Sequence, residues 1–231
     1  MSPNKKEKLP RQKGMSFTYW LTKTICGTFF RMGFKTRIVG VKNIPKRGAY
    51  MLMSNHVSYF DPPLISGVTP TPLYFFARKS LLKNWWFGLL HKGMNIIPVD
   101  VNGNDITAIR RAIEILKHDR PLVAFPEGTR SEDGTLQRGQ PGVGMIACKA
   151  QVPIVPVRVF GTYEALGRKT TKPQWGMPLT VVVGKPMAPA EYDVGPGDKE
   201  RYQKVVDKVM EVIAKIEKPQ AHTDSEAEWV D

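Results

Sequence analysis

The stretch "SNHVSYFDPPL" (residues 54–64) marks the point where a strand ends and a helix begins. Before it, the apolar run "AYMLMSN" (49–55) has the length of a buried strand. Asp61 followed by Pro62 is typical of a helix start, because aspartate caps a first turn and proline has no N–H to leave unpaired. His56 therefore lies in a loop at a strand end, where α/β proteins place their sites. Local structure accounts for Asp61 but gives no reason for the histidine.

The rest of the chain alternates between strand-like and helix-like segments. Apolar, β-rich runs predict strands at 36–40, 50–54, 73–77, 95–99, 122–126, 154–160 and 179–184. Apolar residues at helical spacing predict helices within 105–119 and 199–218. This alternation indicates an α/β fold, in which helices flank a central sheet of about seven strands. We expect a single domain over residues 35–218.

Positive charge is concentrated near the N-terminal end. The formal net charge is +13, and residues 1–40 hold nine Lys or Arg and one Glu. Such a segment favours an anionic partner, either nucleic acid or a membrane surface with anionic lipid. No apolar run reaches about eighteen residues, so we expect neither a spanning helix nor a secretory signal. Cys26 and Cys148 lack metal-type or redox-type spacing and are expected to be structural, in a reducing compartment.

Two aromatic-rich segments favour lipid as that partner. Residues 16–35 are apolar with single interspersed cations, and residues 81–92 place tryptophans among leucines and lysines. Helices of this kind lie at the water–lipid boundary, where tryptophan keeps its ring in the apolar layer. The alternative for both is a buried amphipathic helix that covers the sheet. We expect a basic arm and amphipathic membrane-interface helix over residues 1–34, and a flexible acidic tail over residues 219–231.

A second polar motif, "EGTRSEDG" (127–134), follows the predicted strand at 122–126, and its first five residues complete the run "FPEGTRS" (125–131). Gly128 lets the backbone approach a ligand closely, a turn of backbone N–H groups can hold an anion, and the guanidinium of Arg130 matches phosphate oxygens. The alternative is an ordinary polar turn between a strand and a helix. Because neighbouring strand ends can face one crevice in such a sheet, the motif is expected near His56.

Four motifs in order resemble the lysophosphatidate acyltransferase family, the 1-acylglycerol-3-phosphate O-acyltransferases. "NHVSYFDP" (55–62) and "FPEGTRS" resemble its first and third signature blocks. "VPIVPV" (152–157) resembles the fourth block, and "GMNIIPVD" (93–100) occupies the place of the second. The resemblance covers roughly residues 35–190 and implies a central mixed sheet of the glycerolipid acyltransferase type.

The resemblance implies acyl transfer from acyl-CoA or acyl-carrier protein to the free sn-2 hydroxyl of 1-acylglycerol-3-phosphate, giving phosphatidate, with no cofactor and no metal. His56 is then the general base, and Asp61 orients it while also capping the helix. The acceptor then binds to a turn formed by Glu127, Gly128, Thr129 and Arg130. Chemistry supports the base independently, because an alcohol needs deprotonation to attack a thioester and imidazole titrates in the useful range.

The second block departs from the family pattern at Val101, where the family usually has an arginine associated with the glycerol phosphate. Either another cation covers the phosphate, or the acceptor has a different head group. Lys79 lies where a basic residue is common in the family and is the first substitute, with Arg78 and Arg110 after it. The alternative for Lys79 is a solvated residue that contacts lipid head groups.

Rival functions differ in which motifs they need. A family member that acts on another lysophospholipid or a lyso-aminolipid is kept open by Val101. A membrane-surface binding module would not need His56, Asp61 and the whole third block. A nucleic-acid binder would explain the charge, but no binding motif of that class occurs. We therefore expect an enzyme associated peripherally with the cytoplasmic face of a membrane.

Other side chains near these motifs are expected to be structural. Ser54 and Ser58 lie close to the histidine, but the chain has no G-x-S-x-G elbow to expose a nucleophile. His91 and His118 have no partner at metal-ligand spacing, so a metal site is not expected. The sequence does not indicate which backbone groups stabilise an oxyanion.

Overall fold

A seven-stranded β-sheet forms the centre of the molecule. The computed structural model describes residues 16–81, 94–100 and 105–220. Within these residues the strands are β1 (Lys35–Val39), β2 (Met51–Ser54), β3 (Tyr74–Arg78), β4 (Asn95–Val99), β5 (Leu122–Ala124), β6 (Ile154–Phe160) and β7 (Pro178–Val183). Each strand overlaps the apolar run that predicts it, and the predicted α/β class with a mixed sheet is confirmed.

The order of strands across the sheet is β1-β7-β6-β2-β5-β3-β4. Strands β2 to β6 are parallel, whereas β7 is antiparallel to β6 and parallel to β1. The five parallel strands therefore end at the edge where β1 and β7 begin. This edge, at which β2, β5 and β6 end with Ser54, Ala124 and Phe160, is called the carboxyl edge below.

Helices cover both faces of the sheet. They are α1 (Phe17–Gly33), α2 (Asp61–Ile65), α3 (Ile106–Lys117), α4 (Pro141–Ala150), α5 (Thr162–Leu166), α6 (Pro189–Tyr192) and α7 (Arg201–Lys215). Helices α3, α4 and α7 share a core with one face of the sheet, and α1 and α2 share a core with the other. Strand β2 is buried on both faces because successive side chains alternate between them, with Met51 and Met53 in the first core and Leu52 in the second.

Helix α1 confirms the helix predicted within residues 16–35, and it is only partly buried. Ser16 caps it by accepting from the N–H of Tyr19. Tyr19 and Phe30 are buried against the sheet. Several large apolar side chains on the same helix are exposed, namely Phe17, Trp20, Leu21, Ile25, Phe29 and Met32. Of the helices in the described ranges, none combines the length and the apolar character needed to cross a membrane.

Some predicted features lie outside the described residues. They are the basic arm before Ser16, the aromatic segment after Leu81, the residues His91 and Val101, and the acidic tail after Gln220. The structure therefore tests neither the interface role of residues 82–92 nor the domain boundaries at the chain ends. Helices α3 and α7 lie within the ranges predicted for them.

Candidate active site

Three strand ends bring the candidate residues together at the carboxyl edge. Strand β2 leads to His56, β5 leads into the third block at 125–131, and β6 leads to Thr162. These loops are neighbours because β2 lies between β5 and β6 in the sheet. The N–H of Ser131 donates to the carbonyl oxygen of His56 at 2.8 Å. The expected proximity of the third block to the histidine is therefore confirmed.

His56 and Asp61 form a hydrogen-bonded pair. Nδ1 of His56 lies 2.9 Å from Oδ2 of Asp61. An ionised carboxylate only accepts hydrogen bonds, so this contact places the proton on Nδ1 and leaves Nε2 as the acceptor. Nε2 has no hydrogen-bond partner among the described residues. The imidazole ring stacks on Phe125 with centroids 4.1 Å apart, and 17% of the side chain is exposed.

The carboxylate of Asp61 is fully buried and holds the loop that carries His56. Oδ2 also accepts from the N–H groups of Val57 and Ser58, each at 2.7 Å. Oδ1 accepts from the hydroxyl of Thr162 at 2.6 Å. The prediction that Asp61 caps the helix is wrong: Asp61 is the first residue of α2, and Phe60 precedes it as the cap residue. Both carboxylate oxygens accept hydrogen bonds from groups outside α2, and Pro62 and Pro63 have no N–H to donate to them.

Glu127 lies behind the histidine loop and is buried. Its Oε1 accepts from the N–H of His56 at 2.9 Å, and its Oε2 accepts from the N–H of Gln137 at 3.2 Å. Burial raises the pKa of Glu127 to about 7 and the charge of Asp61 adds to the rise, although the two backbone donors oppose it. Glu127 therefore positions the main chain of His56. Its predicted contact with the acceptor stays a prediction.

Gly128, Thr129 and Arg130 form a turn that projects from the same edge. Gly128 has φ +72°, a left-handed conformation that favours glycine, and its N–H donates to the carbonyl oxygen of Phe125 at 3.0 Å. The side chain of Thr129 is exposed at the surface of the turn. The guanidinium of Arg130 lies over the ring of Tyr59, 3.5 Å from its centroid. The turn therefore presents a glycine, a hydroxyl and a cation close to the loop of His56.

Residues 35–160, which carry the loop of His56 and the third block, match the sequence model of the acyltransferase family. The chain belongs to the acyltransferase family. This acyltransferase is 26% identical over 183 residues to the 1-acyl-sn-glycerol-3-phosphate acyltransferase of Bacillus subtilis, covering 78% of this chain and 87% of that protein. It is 32% identical over 153 residues to the 1-acyl-sn-glycerol-3-phosphate acyltransferase of Limnanthes douglasii, covering 64% of this chain and 53% of that protein. The resemblance carried by the four blocks is confirmed.

A solved structure has the same fold as the acyltransferase. It is the crystal structure of the 1-acyl-sn-glycerophosphate (LPA) acyltransferase, PlsC, from Thermotoga maritima. The two agree with a TM-score of 0.63 at 28% sequence identity, over 84% of this chain and 77% of that chain. The similarity supports the mixed sheet and its flanking helices as the framework of an acyltransferase enzyme.

Lys79 of the acyltransferase lies next to two carboxylates. Its Nζ is 3.9 Å from Oδ2 of Asp100 and 3.9 Å from Oδ2 of Asp105. The two carboxylates partly neutralise the ammonium group, although the lysine and Asp100 are more than half exposed and such contacts are weak. Arg110, one of the two weaker substitutes for Val101, lies on the exposed part of α3. The role of Lys79 in acceptor binding stays a prediction.

Two residues of the acyltransferase that support the site were not predicted. Each contacts a residue that is far away in the sequence. Thr162 donates to Asp61 from 101 residues away. The side-chain amide of Asn55 donates to the carbonyl oxygen of Val159 at 3.1 Å and accepts from its N–H at 2.8 Å, and so fastens the start of the loop to β6. A polar residue at the end of a buried strand was the available signal, but its partner is visible only in the folded chain.

The serines beside the histidine have structural partners. The hydroxyl of Ser58 donates to the carbonyl oxygen of Leu166 at 2.7 Å and accepts from the N–H of Phe60 at 3.0 Å. The hydroxyl of Ser54 donates to the carbonyl oxygen of Asn55 at 3.1 Å. Both residues are fully buried, as expected for structural side chains.

Proposed function

We propose that the enzyme transfers a fatty acyl group from acyl-CoA or acyl-carrier protein to the sn-2 hydroxyl of 1-acylglycerol-3-phosphate, forming phosphatidate. The names of its relatives in Bacillus and Limnanthes support this acceptor. One observation carries the proposal: an imidazole held by the buried Asp61, with Nε2 unpaired among the described residues, lies beside the turn of Arg130. That arrangement combines a base for a hydroxyl with a cation for a phosphate.

In the first step, Nε2 of His56 removes the proton of the acceptor hydroxyl while the oxygen attacks the thioester carbonyl carbon. The resulting imidazolium is stabilised by the carboxylate of Asp61, which remains ionised. The carbonyl π bond breaks, and its electron pair moves onto the oxygen as a tetrahedral intermediate forms. Because the acceptor brings its own hydroxyl, the reaction needs no covalent acyl-enzyme.

In the second step the intermediate collapses and the carbon–sulfur bond breaks. The departing sulfur takes the proton from Nε2 of His56, which restores the neutral base and releases a thiol. The loop must keep its geometry through both proton transfers. The contacts of Asp61 with Val57, Ser58 and Thr162 support that requirement.

Acyl transfer from oleoyl-CoA, and in parallel from acyl-carrier protein, tests the proposal. Lysophosphatidate, lysophosphatidylcholine and lysophosphatidylethanolamine are offered as competing acceptors in vesicles. Preferred turnover of lysophosphatidate is the expected result. Preference for a zwitterionic acceptor would mean that Val101 accompanies a changed head-group site, and would overturn the proposed acceptor. Comparison of kcat/KM for the two donors decides between acyl-CoA and acyl-carrier protein.

Thr162 is expected to position the carboxylate of Asp61 during this reaction. Thr162→Val keeps the shape of the side chain but leaves Oδ1 of Asp61 without its buried donor, so kcat is expected to fall about tenfold with little change in KM. Thr162→Ser retains a hydroxyl and should recover most of the rate. Steady-state kinetics of both variants provide the check, and a Thr162→Val enzyme with full kcat would contradict the role.

We also propose that helix α1 holds the enzyme on an anionic membrane surface. Its exposed apolar side chains include Phe17, Ile25 and Met32, which follow one another at helical spacing. Trp175, from the loop before β7, is exposed beside them and contacts Phe29 with centroids 5.5 Å apart. This surface adjoins the carboxyl edge, because β1 begins there directly after α1. An acceptor in the lipid layer would thus lie near the base.

Vesicle binding of a double α1 variant tests this association. Ile25→Ser with Met32→Ser removes two exposed apolar side chains and should weaken binding to anionic vesicles by about tenfold or more. Ile106→Ser with Val194→Ser removes two exposed apolar side chains elsewhere and serves as the matched control. Co-sedimentation measures the bound fraction of each protein. Equal binding by the two double variants would sink the proposed role of α1.

A further inference from the structure

Three arginines from different parts of the chain meet at the turn after β5. Arg130 belongs to the turn itself. Nη2 of Arg78, at the end of β3, donates to the hydroxyl oxygen of Thr129 at 3.2 Å. Nη1 of Arg168, in the loop after α5, donates to the carbonyl oxygen of Arg130 at 3.0 Å. The turn thus carries one guanidinium and is contacted by two more.

The positive charges of these arginines act on one another. Burial lowers the pKa of Arg130 from its ordinary value, and the charges of Arg168 and Arg78 lower it further, while Tyr59 and the charge of Asp61 oppose this. Like charges held this close are unfavourable unless an anion binds among them. The mutual repulsion therefore favours a doubly charged ligand over a neutral or zwitterionic one.

The ion pair of Arg168 with Glu132 does not prevent Arg168 from binding an anion in this cluster. Nη1 of Arg168 lies 3.4 Å from Oε1 of Glu132, whose side chain is 65% exposed. An ion pair of this kind in contact with water contributes little to stability. A phosphate monoester offers up to two negative charges and several acceptor oxygens, and it forms stronger charge-assisted hydrogen bonds with a guanidinium. Arg168 is therefore available to a phosphate ligand.

The arginine cluster is next to the loop of the base. Ser131, which follows Arg130, donates to the carbonyl oxygen of His56 at 2.8 Å. Tyr59, whose ring lies under the guanidinium of Arg130, belongs to the loop between His56 and Asp61. A phosphate bound by the cluster would thus lie next to the loop that holds the imidazole.

We propose that Arg168 completes an anion subsite with Arg130 and Arg78, and that this subsite binds the phosphate monoester of the acceptor. The proposal rests on the proposed function, because it assigns the head group of that substrate. Arg168 adds a cation to a chain whose second block has Val101 instead of arginine. It lies outside residues 35–160, the range matched by the family model, so the signature blocks do not point to it.

Two substrates of the proposed reaction carry a phosphate monoester. One is the lysophosphatidate acceptor, and the other is coenzyme A, through the 3′-phosphate of its ribose. If the subsite binds the acceptor, a change at Arg168 affects the KM for lysophosphatidate with either donor. If it binds coenzyme A, the change affects the KM for acyl-CoA and spares dephospho-acyl-CoA and acyl-carrier protein. Kinetics with all three donors separate these cases.

Arg168→Gln is the decisive variant. The KM for lysophosphatidate is expected to rise about tenfold or more, since a charge-assisted hydrogen bond is lost, while the KM for lysophosphatidylcholine and for the donor stays unchanged. Arg168→Lys should recover part of the loss. Lys172→Gln removes one exposed positive charge from the same loop and is the matched control for vesicle binding, with no change in KM expected. Glu132→Gln should leave the KM unchanged or lower it.

Three kinetic results would overturn the proposal. They are an unchanged KM for lysophosphatidate, an increase confined to acyl-CoA, and an equal loss with every acceptor, which would mean that Arg168 only holds the loop. Calorimetric titration with glycerol 3-phosphate gives a readout that does not require turnover. Binding by the wild-type protein that is weakened at least about tenfold in Arg168→Gln supports the subsite even if lysophosphatidate is not the acceptor, and no binding by the wild type overturns it.

Discussion

Replacement of His56 by alanine is expected to lower the rate of acyl transfer by roughly two to four orders of magnitude, because the acceptor hydroxyl loses its base. The fold should survive. The loop is held by the main chain of His56, which donates to Glu127 and accepts from Ser131, and both contacts are independent of the side chain. Single-turnover acyl transfer to lysophosphatidate measures the effect, and circular dichroism monitors the fold.

His118→Ala provides the control for the loss of a histidine. His118 is exposed at the end of α3, where its Nδ1 contacts the carbonyl oxygen of Glu114 at 2.8 Å. Its replacement should leave the rate unchanged within about a factor of two, since surface substitutions of this kind have small effects. Turnover by His56→Ala at the rate of His118→Ala would remove His56 from the mechanism.

Asp61→Asn is expected to have a similar effect on kcat, a loss of roughly two to four orders of magnitude, by a different route. The carboxylate accepts from His56, Val57, Ser58 and Thr162. Asparagine replaces one of the two acceptor oxygens with an NH2 group, which only donates. This NH2 group either faces backbone N–H groups that also donate, or faces Nδ1 of His56 and stabilises the imidazole tautomer that carries its proton on Nε2. The KM for the acceptor should change little, because the turn of Arg130 is retained.

The same substitution at Asp193 separates catalysis from stability. Asp193 is also largely buried, and it accepts from Arg201, Gln151 and the N–H of Gly195, at the opposite edge of the sheet from the site. Asp193→Asn should therefore lower the melting temperature while kcat is preserved. If Asp61→Asn lost only as much activity as Asp193→Asn at matched stability, the orienting role of Asp61 would be rejected.

The strands were predictable because they are buried runs of apolar residues. Residues 95–99 and 154–160 were predicted with the bounds that the structure gives. The direction of β7 was not predictable, because a strand buried within a sheet has the same apolar sequence pattern whether it is parallel or antiparallel to its neighbour. The start of α2 was misjudged for a related reason: local preference favours Asp61 as a cap, but contacts with the preceding loop and with Thr162 engage its oxygens instead.

The part of the candidate site that lies within one short motif was predictable. His56 and Asp61 are five residues apart, so their contact follows from the loop between them. Arg168 and Thr162 lie outside every signature block, and their partners are 38 and 101 residues away. Glu127 was identified as a site residue, but its burial against the main chain of His56 depends on how β5 packs beside β2.

The contacts of His56 with Glu127 and of Asp61 with Thr162 also fix an order of events during synthesis. The ribosome produces the histidine and its aspartate early, yet the native support of their loop comes from residues 71 and 101 positions further along the chain. A nascent chain that has not reached Thr162 holds the proposed catalytic residues without their native geometry. Contacts at such sequence separation form late because the intervening chain must first be closed into a loop. The enzyme thus becomes competent only when strand β6 has been made and has docked beside β2.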